Sequence, residues 1–293
     1  MNATETSPVQ RHYTRPDLGA TILGALARAG ADVDALTLDD LALVDEFHIR
    51  GRAATTELAA LAVLSPGTTV LDVGSGVGGP SRVLAARYGC RVTGIDLVSE
   101  YCHVAKMLAD RACQGHGVRY CQASALDLPF ADATFDVVWT QHASMNIEDK
   151  SRLYGEMFRV VSPGGRLLLY DIVAGPGGPI HFPVFWADGP SISFLMQADE
   201  VRDRLQRAGF GVTHWDDLTE LSAAWFRKMQ ARPHDPAAPP TGPRVLLGPI
   251  SKTMAANMTA NLSERRLGVV RAVLTRPGAA HRGHVMTGGD DHA

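Results

Sequence analysis

Val70-Leu71-Asp72-Val73-Gly74-Ser75-Gly76-Val77-Gly78-Gly79 is a short apolar run that includes an acid and passes straight into alternating glycines. Gly74, Gly76 and Gly78 carry no Cβ where the backbone must turn tightly and lie against a ligand. Residues 81–88 follow with helical spacing, so the turn delivers a nucleotide-like ligand to a helix N-terminus. The next apolar run, residues 90–95, leads to Asp96. Asp96 lies about 20 residues past the turn, where dinucleotide-binding folds place the acid that accepts hydrogen bonds from ribose hydroxyls. An adenosine ligand is therefore expected. The third small position is Gly78 rather than the residue after it, so the pattern departs from the nicotinamide G-x-G-x-x-G and needs no phosphate in the ligand.

An acid followed by G-x-G-x-G, here Asp72, Gly74, Gly76 and Gly78, resembles the first motif of the class I S-adenosylmethionine-dependent methyltransferases. The resemblance continues through Asp96, Ser124-Ala125-Leu126-Asp127-Leu128-Pro129-Phe130, Phe135-Asp136-Val137-Val138-Trp139, and Leu153–Val161 with Ser162-Pro163-Gly164-Gly165-Arg166. It covers about residues 63–216, and within the family it is to the small-molecule branch of sarcosine/dimethylglycine, tocopherol and ubiquinone-pathway methyltransferases. It implies S-adenosyl-L-methionine as cofactor, with contacts at Asp72, Gly74, Gly76, Gly78, Asp96, Leu97, Ser124, Ala125, Leu126, Thr140 and Gln141. Where many relatives have Gly-Asp-Ala, this chain has Ala123-Ser124-Ala125. The serine hydroxyl accepts a hydrogen bond without charge, a loss of about 1 kcal/mol at the adenine.

Length and composition suit one enzyme domain. The chain has 293 residues, 45% hydrophobic and 20% charged, enough to bury a large core. A net charge of −3 gives no electrostatic case for nucleic acid or an anionic membrane. Cys90, Cys102, Cys113 and Cys121 lack C-x-x-C spacing and read as reduced, small apolar residues, with no metal site. Met1–Arg11 is polar, and no apolar run reaches spanning length. The expected protein is cytoplasmic, acts on a small-molecule acceptor, does not insert into membranes, and has homodimerisation left open.

The order of elements predicts an α/β fold, a Rossmann-like doubly wound seven-stranded sheet that is mostly parallel. Strands are expected at about 69–73, 91–95, 117–121, 134–139, 166–173 and 210–215, with helices at about 80–88, 98–113, 149–161 and 197–208. By resemblance, Leu267–Thr275 is the antiparallel seventh strand. Three segments follow: a helical N-terminal lid over 1–62, helical at 18–29 and 38–47; a methyltransferase domain over 63–276 with lid insertions at 175–196 and 218–262; and a disordered tail over 277–293. The proline-rich stretch 232–244 reads as a surface loop.

Methyl transfer needs alignment of nucleophile, methyl carbon and sulfur with water excluded, and a base only where the nucleophile holds a proton. His142, just past the fourth strand, stands where such a base would sit, and a hydrogen-bonded structural histidine is the competing reading. Tyr13, His48, Met145, Asn146, Phe182 and Trp186 are the expected acceptor-side residues, with a helix cap as the second reading of Asn146 and core packing as that of the aromatics. The favoured function is methyl transfer to nitrogen, oxygen or carbon of a metabolite. The alternative is a catalytically inactive cofactor-binding protein serving as regulator or assembly partner; a nicotinamide-dependent oxidoreductase fits least.

Overall fold

The computed structural model describes residues 7–112, 115–231 and 242–278. Cys113, the proline-rich stretch 232–241 and the tail beyond residue 278 lie outside the described residues. Seven strands form, β1 (Thr69–Val73), β2 (Arg91–Asp96), β3 (Val118–Gln122), β4 (Phe135–Gln141), β5 (Val161–Ala174), β6 (Gly211–Asp217) and β7 (Leu267–Thr275). They make one sheet of order β3-β2-β1-β4-β5-β7-β6. Only β7 runs antiparallel to its neighbours.

Alternation along the strands divides the core between the two faces of the sheet. Val70 of β1 and Leu168, Tyr170 and Ile172 of β5 face one cluster, whereas Leu71, Val73, Leu167 and Leu169 face the other. The first face is covered by α4 (Arg52–Ala60) and α5 (Gly79–Tyr88) with α9 (Thr219–Gln230) and α11 (Ile250–Ser263). The second is covered by α7 (Lys150–Val160) and α8 (Ala198–Arg207). The remaining helices are α1 (Pro8–Tyr13), α2 (Leu18–Arg28), α3 (Leu38–Leu41), α6 (Ser99–Arg111) and α10 (Pro243–Leu247). A third cluster joins α2 to α6 through Leu18, Ile22, Val104 and Leu108, which fastens the N-terminal region to the core.

The chain crosses over between β1 and β4, which are hydrogen-bonded neighbours with Asp72 opposite Trp139 and Val73 opposite Thr140. Sheets of this kind bind ligands outside the carboxyl ends of their strands at that point. The glycine turn after β1 and the His142 loop after β4 therefore emerge side by side.

The structure departs from expectation in three places. The helix expected over 38–47 stops at Leu41, because residues 42–51 give up helical hydrogen bonding to pass over the glycine turn with Asp45 and Glu46 buried. The fifth strand, expected from about residue 166, begins at Val161, takes in Ser162–Gly165 and absorbs a register shift against β4. Helices α1 and α4 lie within the N-terminal helical segment but outside the two stretches expected to be helical. Cys90 and Cys102 are buried, Cys121 is half-buried, and all three are free thiols.

Candidate active site

The three glycines of the turn are all in the left-handed region, at φ 77° for Gly74, 53° for Gly76 and 86° for Gly78, but they serve different ends. A Cβ on Gly74 would lie 2.5 Å from the Cβ of Ala143, so this glycine lets the β1 and β4 loops touch. A Cβ on Gly78 would lie 2.3 Å from Tyr120 Oη. Gly78 thus packs against Tyr120 and is not among the residues that line the cavity. Gly76 alone has nothing within 4 Å of a built Cβ. It lines a cavity of about 1800 Å³ together with Asp72, Gly74 and Asp96.

At one end of this cavity Asp96 ends β2. Its Oδ2 accepts from Gly76 N at 3.0 Å and its Oδ1 from Val98 N at 2.9 Å, so the carboxylate both shapes the turn and faces the cavity. Burial raises its pKa to about 6 against the opposing pull of these amides. Leu97, Ser124, Ala125 and Leu126 line the same end. The Ser124 hydroxyl accepts from Leu126 N at 3.2 Å and so closes its own turn. Asp72, behind the glycines, accepts from Ser81 Oγ at 2.6 Å, and burial pushes it up to about 7.

The exit of β4 forms the middle of the site. Thr140 does not reach the cavity; it is buried, and its hydroxyl donates to Val73 O at 3.1 Å, tying β4 to β1. Gln141 does line the cavity. Its Oε1 accepts from Trp139 Nε1 at 2.9 Å and Thr55 Oγ1 at 3.2 Å, which turns a buried, unpartnered Nε2 toward other uses. His142 adopts φ 51°, its N donates to Tyr170 O at 2.9 Å, and its ring stacks on Tyr170 at 5.0 Å. Its Nε2 is buried without a partner, and burial followed by the neighbouring His48 holds its pKa well below the ordinary value. Met145 is buried in the same wall.

Asn146 proves to be a structural hub. Its Nδ2 donates to Trp186 O and Ile192 O, both at 2.8 Å, and its Oδ1 accepts from Tyr13 Oη at 2.8 Å. The amide hydrogens foreseen for the acceptor are thus spent on the protein, and the helix cap falls to Asp149, which accepts from Arg152 N at 2.9 Å. The same loop is held by Lys150, whose Nζ donates to the carbonyls of Ser144, Ile147 and Phe194. One Asn and one Lys thereby fasten the β4 loop to the 182–194 segment above it.

Residues 42–51 close the site from the other side. Asp45 and Arg82 pair at 2.7 Å with neither side chain exposed, and burial holds the Asp45 pKa up near 6. Glu46 accepts from Arg52 Nε at 3.2 Å and Thr55 Oγ1 at 2.9 Å. His48 lines the cavity with its Nε2 3.0 Å from Gly51 O, and burial lowers its pKa to about 4. Arg50, also lining, is engaged by Glu57. The far end of the cavity is apolar, formed by Phe185, Trp186, Phe194, Trp225, Phe226 and Met229. Phe182 is not among its walls; it is partly buried against the core cluster on the first face of the sheet. Tyr101 and Ile172, which line the cavity, were missed because each reads in sequence as an ordinary core position of a helix or strand.

A doubly wound sheet whose glycine turn and acid-ended second strand open into one large cavity defines an α/β domain of Rossmann-like topology. Residues 71–169 match the family described as a methyltransferase domain. It is 41% identical over 118 residues to 2-methyl-6-phytyl-1,4-hydroquinone methyltransferase of Synechocystis sp., covering 40% of this chain and 36% of that protein. Among solved structures, geranyl diphosphate C-methyltransferase from Streptomyces coelicolor A3(2), in complex with Mg2+, geranyl diphosphate and S-adenosyl-L-homocysteine, superimposes with a TM-score of 0.67 at 16% identity. That match covers 93% of this chain and 99% of the other. The [4+2]-cyclase SpnF superimposes with a TM-score of 0.65 at 21% identity, covering 94% and 98%. The chain spans between about a third and under two thirds of the curated relatives it first matches.

Proposed function

We propose that this chain is an S-adenosylmethionine-dependent methyltransferase acting on a small molecule with a bulky apolar body. The observation that carries the reading is one continuous cavity of about 1800 Å³ running from Asp96 past the Gly76 turn to the aromatic lid. Ligand pockets commonly measure about 300–1,000 Å³, so this volume accommodates a cofactor and an acceptor together. The residues fit the cofactor. Open space at Gly76 takes its amino-acid portion, Asp96 receives the ribose hydroxyls, and Leu97, Ser124, Ala125 and Leu126 border the adenine. The buried, unpartnered Nε2 of Gln141 offers a donor to the methionine end.

A bound S-adenosylmethionine supplies a methyl group already activated on a sulfonium. What the chain adds is alignment and exclusion of water. Residues 42–51 and the lid enclose the reacting atoms, while Met145, Trp186 and Phe226 pack against the acceptor's apolar part. His142, flat on Tyr170, sets where the acceptor stops. No partner fixes which of its ring nitrogens carries the proton, so the base role foreseen for it rests on position alone. Cytoplasmic location and the absence of a nucleic-acid partner are carried from composition as proposals, tested by fractionation and electrophoretic shift; homodimerisation stays open and is read by light scattering.

The decisive experiment is incubation with methyl-labelled cofactor and a panel of apolar metabolites. Label recovered in a small molecule supports the reading, and tight cofactor binding with no transfer to any acceptor would support a regulatory protein instead.

A further inference from the structure

His48 differs from His142 in one decisive respect. Its Nε2 lies 3.0 Å from the carbonyl oxygen of Gly51, which can only accept, and 3.3 Å from Oε2 of Glu46. Nε2 must therefore carry the proton of the neutral ring, and Nδ1 must be a bare lone pair. Among the described residues Nδ1 has no hydrogen-bond partner, and it is not sealed from the cavity that the ring lines. Thr55 Oγ1, fully buried, sits 3.0 Å from the same Nε2, 2.9 Å from Glu46 Oε2 and 3.2 Å from Gln141 Oε1. Around the ring stand Glu46 bridged to Arg52, Asp45 bridged to Arg82, His142 at 6.1 Å and Tyr170 at 6.2 Å between centroids.

We infer that His48 is the proton acceptor on the acceptor side of the cavity, and that the accepting atom is the oxygen of a ring hydroxyl. This rests on the methyl-transfer reading above. As the hydroxyl oxygen bonds to the methyl carbon, its proton passes to His48 Nδ1. The carbon–sulfur bond breaks with its electron pair left on sulfur, and the imidazolium gives its proton to solvent as the product leaves. Glu46, within 3.3 Å of Nε2, stabilises the imidazolium for that interval. Burial keeps the resting ring neutral, so the lone pair is present throughout the physiological range.

The carboxylates lining the cavity argue against a cationic amine held in the aromatic end. Asp45 is paired with Arg82, Glu46 with Arg52, Asp72 with the Ser81 hydroxyl and Asp96 with two backbone amides, which leaves Glu148 at the exposed edge. None stands free beside the lid aromatics to balance a second cation next to the sulfonium.

Nitrogen-15 NMR of the histidine rings in the full chain tests the first half without any acceptor. Between about pH 6 and 8, where an ordinary histidine titrates, His48 should stay protonated on Nε2 alone. A proton on Nδ1 would overturn the inference. The second half uses S-adenosylmethionine with phenol and with 4-nitrophenol, which is ionised at mildly alkaline pH and needs no base. His48→Gln should lose transfer to phenol by about 100-fold or more while transfer to 4-nitrophenol stays comparable to wild type. Glu46→Gln should show a smaller loss in the same direction with the tautomer unchanged. Equal loss on both phenols, loss on neither, or cofactor binding without transfer to either would overturn it. Failure of the wild type to bind S-adenosylmethionine would instead overturn the proposed function.

Discussion

Asp45 Oδ2 and Arg82 Nη2 meet at 2.7 Å with both side chains wholly buried, joining the segment that covers the cavity to the helix that begins at the glycine turn. Glycine at position 79 is required by the same contact, since a Cβ there would lie 2.3 Å from Asp45 O. Breaking a buried pair from one side leaves an uncompensated charge, at a cost of about 3–5 kcal/mol. Arg82→Met should lower the unfolding free energy by that amount in urea titration and speed cofactor dissociation. A variant as stable as wild type would show that the pair does not hold the segment down.

Gly76 and Gly78 should respond oppositely to alanine. At Gly76 the added methyl meets open space, so the fold should lose only about 1 kcal/mol for the left-handed backbone while cofactor binding is lost. At Gly78 the methyl runs into Tyr120 Oη, so Gly78→Ala should be the less stable of the two in thermal unfolding. Equal stability of the two variants would contradict the division of roles.

Asp96→Ala should weaken S-adenosylmethionine binding by roughly 1.5–3 kcal/mol, the range for hydrogen bonds to a charged group. Because burial raises the Asp96 pKa from 3.8 to about 6, wild-type binding should tighten as pH rises through about 6 and the carboxylate forms. Stability of the ligand-free protein runs the other way. A raised carboxylate pKa contributes stability that is present below the unfolded value and lost as pH climbs through the folded one, here about 2–3 kcal/mol. Asp96→Asn should flatten that slope when unfolding is measured on either side of this window.

Tyr13→Phe removes one hydrogen bond to Asn146 and should cost about 0.5–1.5 kcal/mol of stability. Asn146→Ala releases Trp186 O and Ile192 O together, loosening the lid. It should raise KM for the acceptor more than it changes cofactor affinity, as read by steady-state kinetics and equilibrium dialysis. An unchanged KM would remove Asn146 from the lid's support.

The sheet was legible because its signals are local: β1 and β7 begin and end at the residues expected, since short apolar runs mark strands plainly. The end of the cavity at Gly76 and Asp96, proposed above for the cofactor, was legible for the same reason. The acceptor end was not, because its geometry depends on contacts far apart in sequence. Asn146 looked available until its partners at residues 13, 186 and 192 were in place. Thr140 sits beside Gln141, which lines the cavity, and strand alternation alone turns it away. The helix expected over 38–47 failed where buried ion pairs outweighed local propensity.

The central claim is that the space beside Gly76 and Asp96 is a site for S-adenosylmethionine. Equilibrium dialysis of the full chain against labelled S-adenosylmethionine, with Gly76→Val alongside, tests it most directly. Wild-type protein should bind one molecule per chain saturably and the folded variant none; wild-type protein that retains no label, or a variant that binds as well, would contradict this assignment.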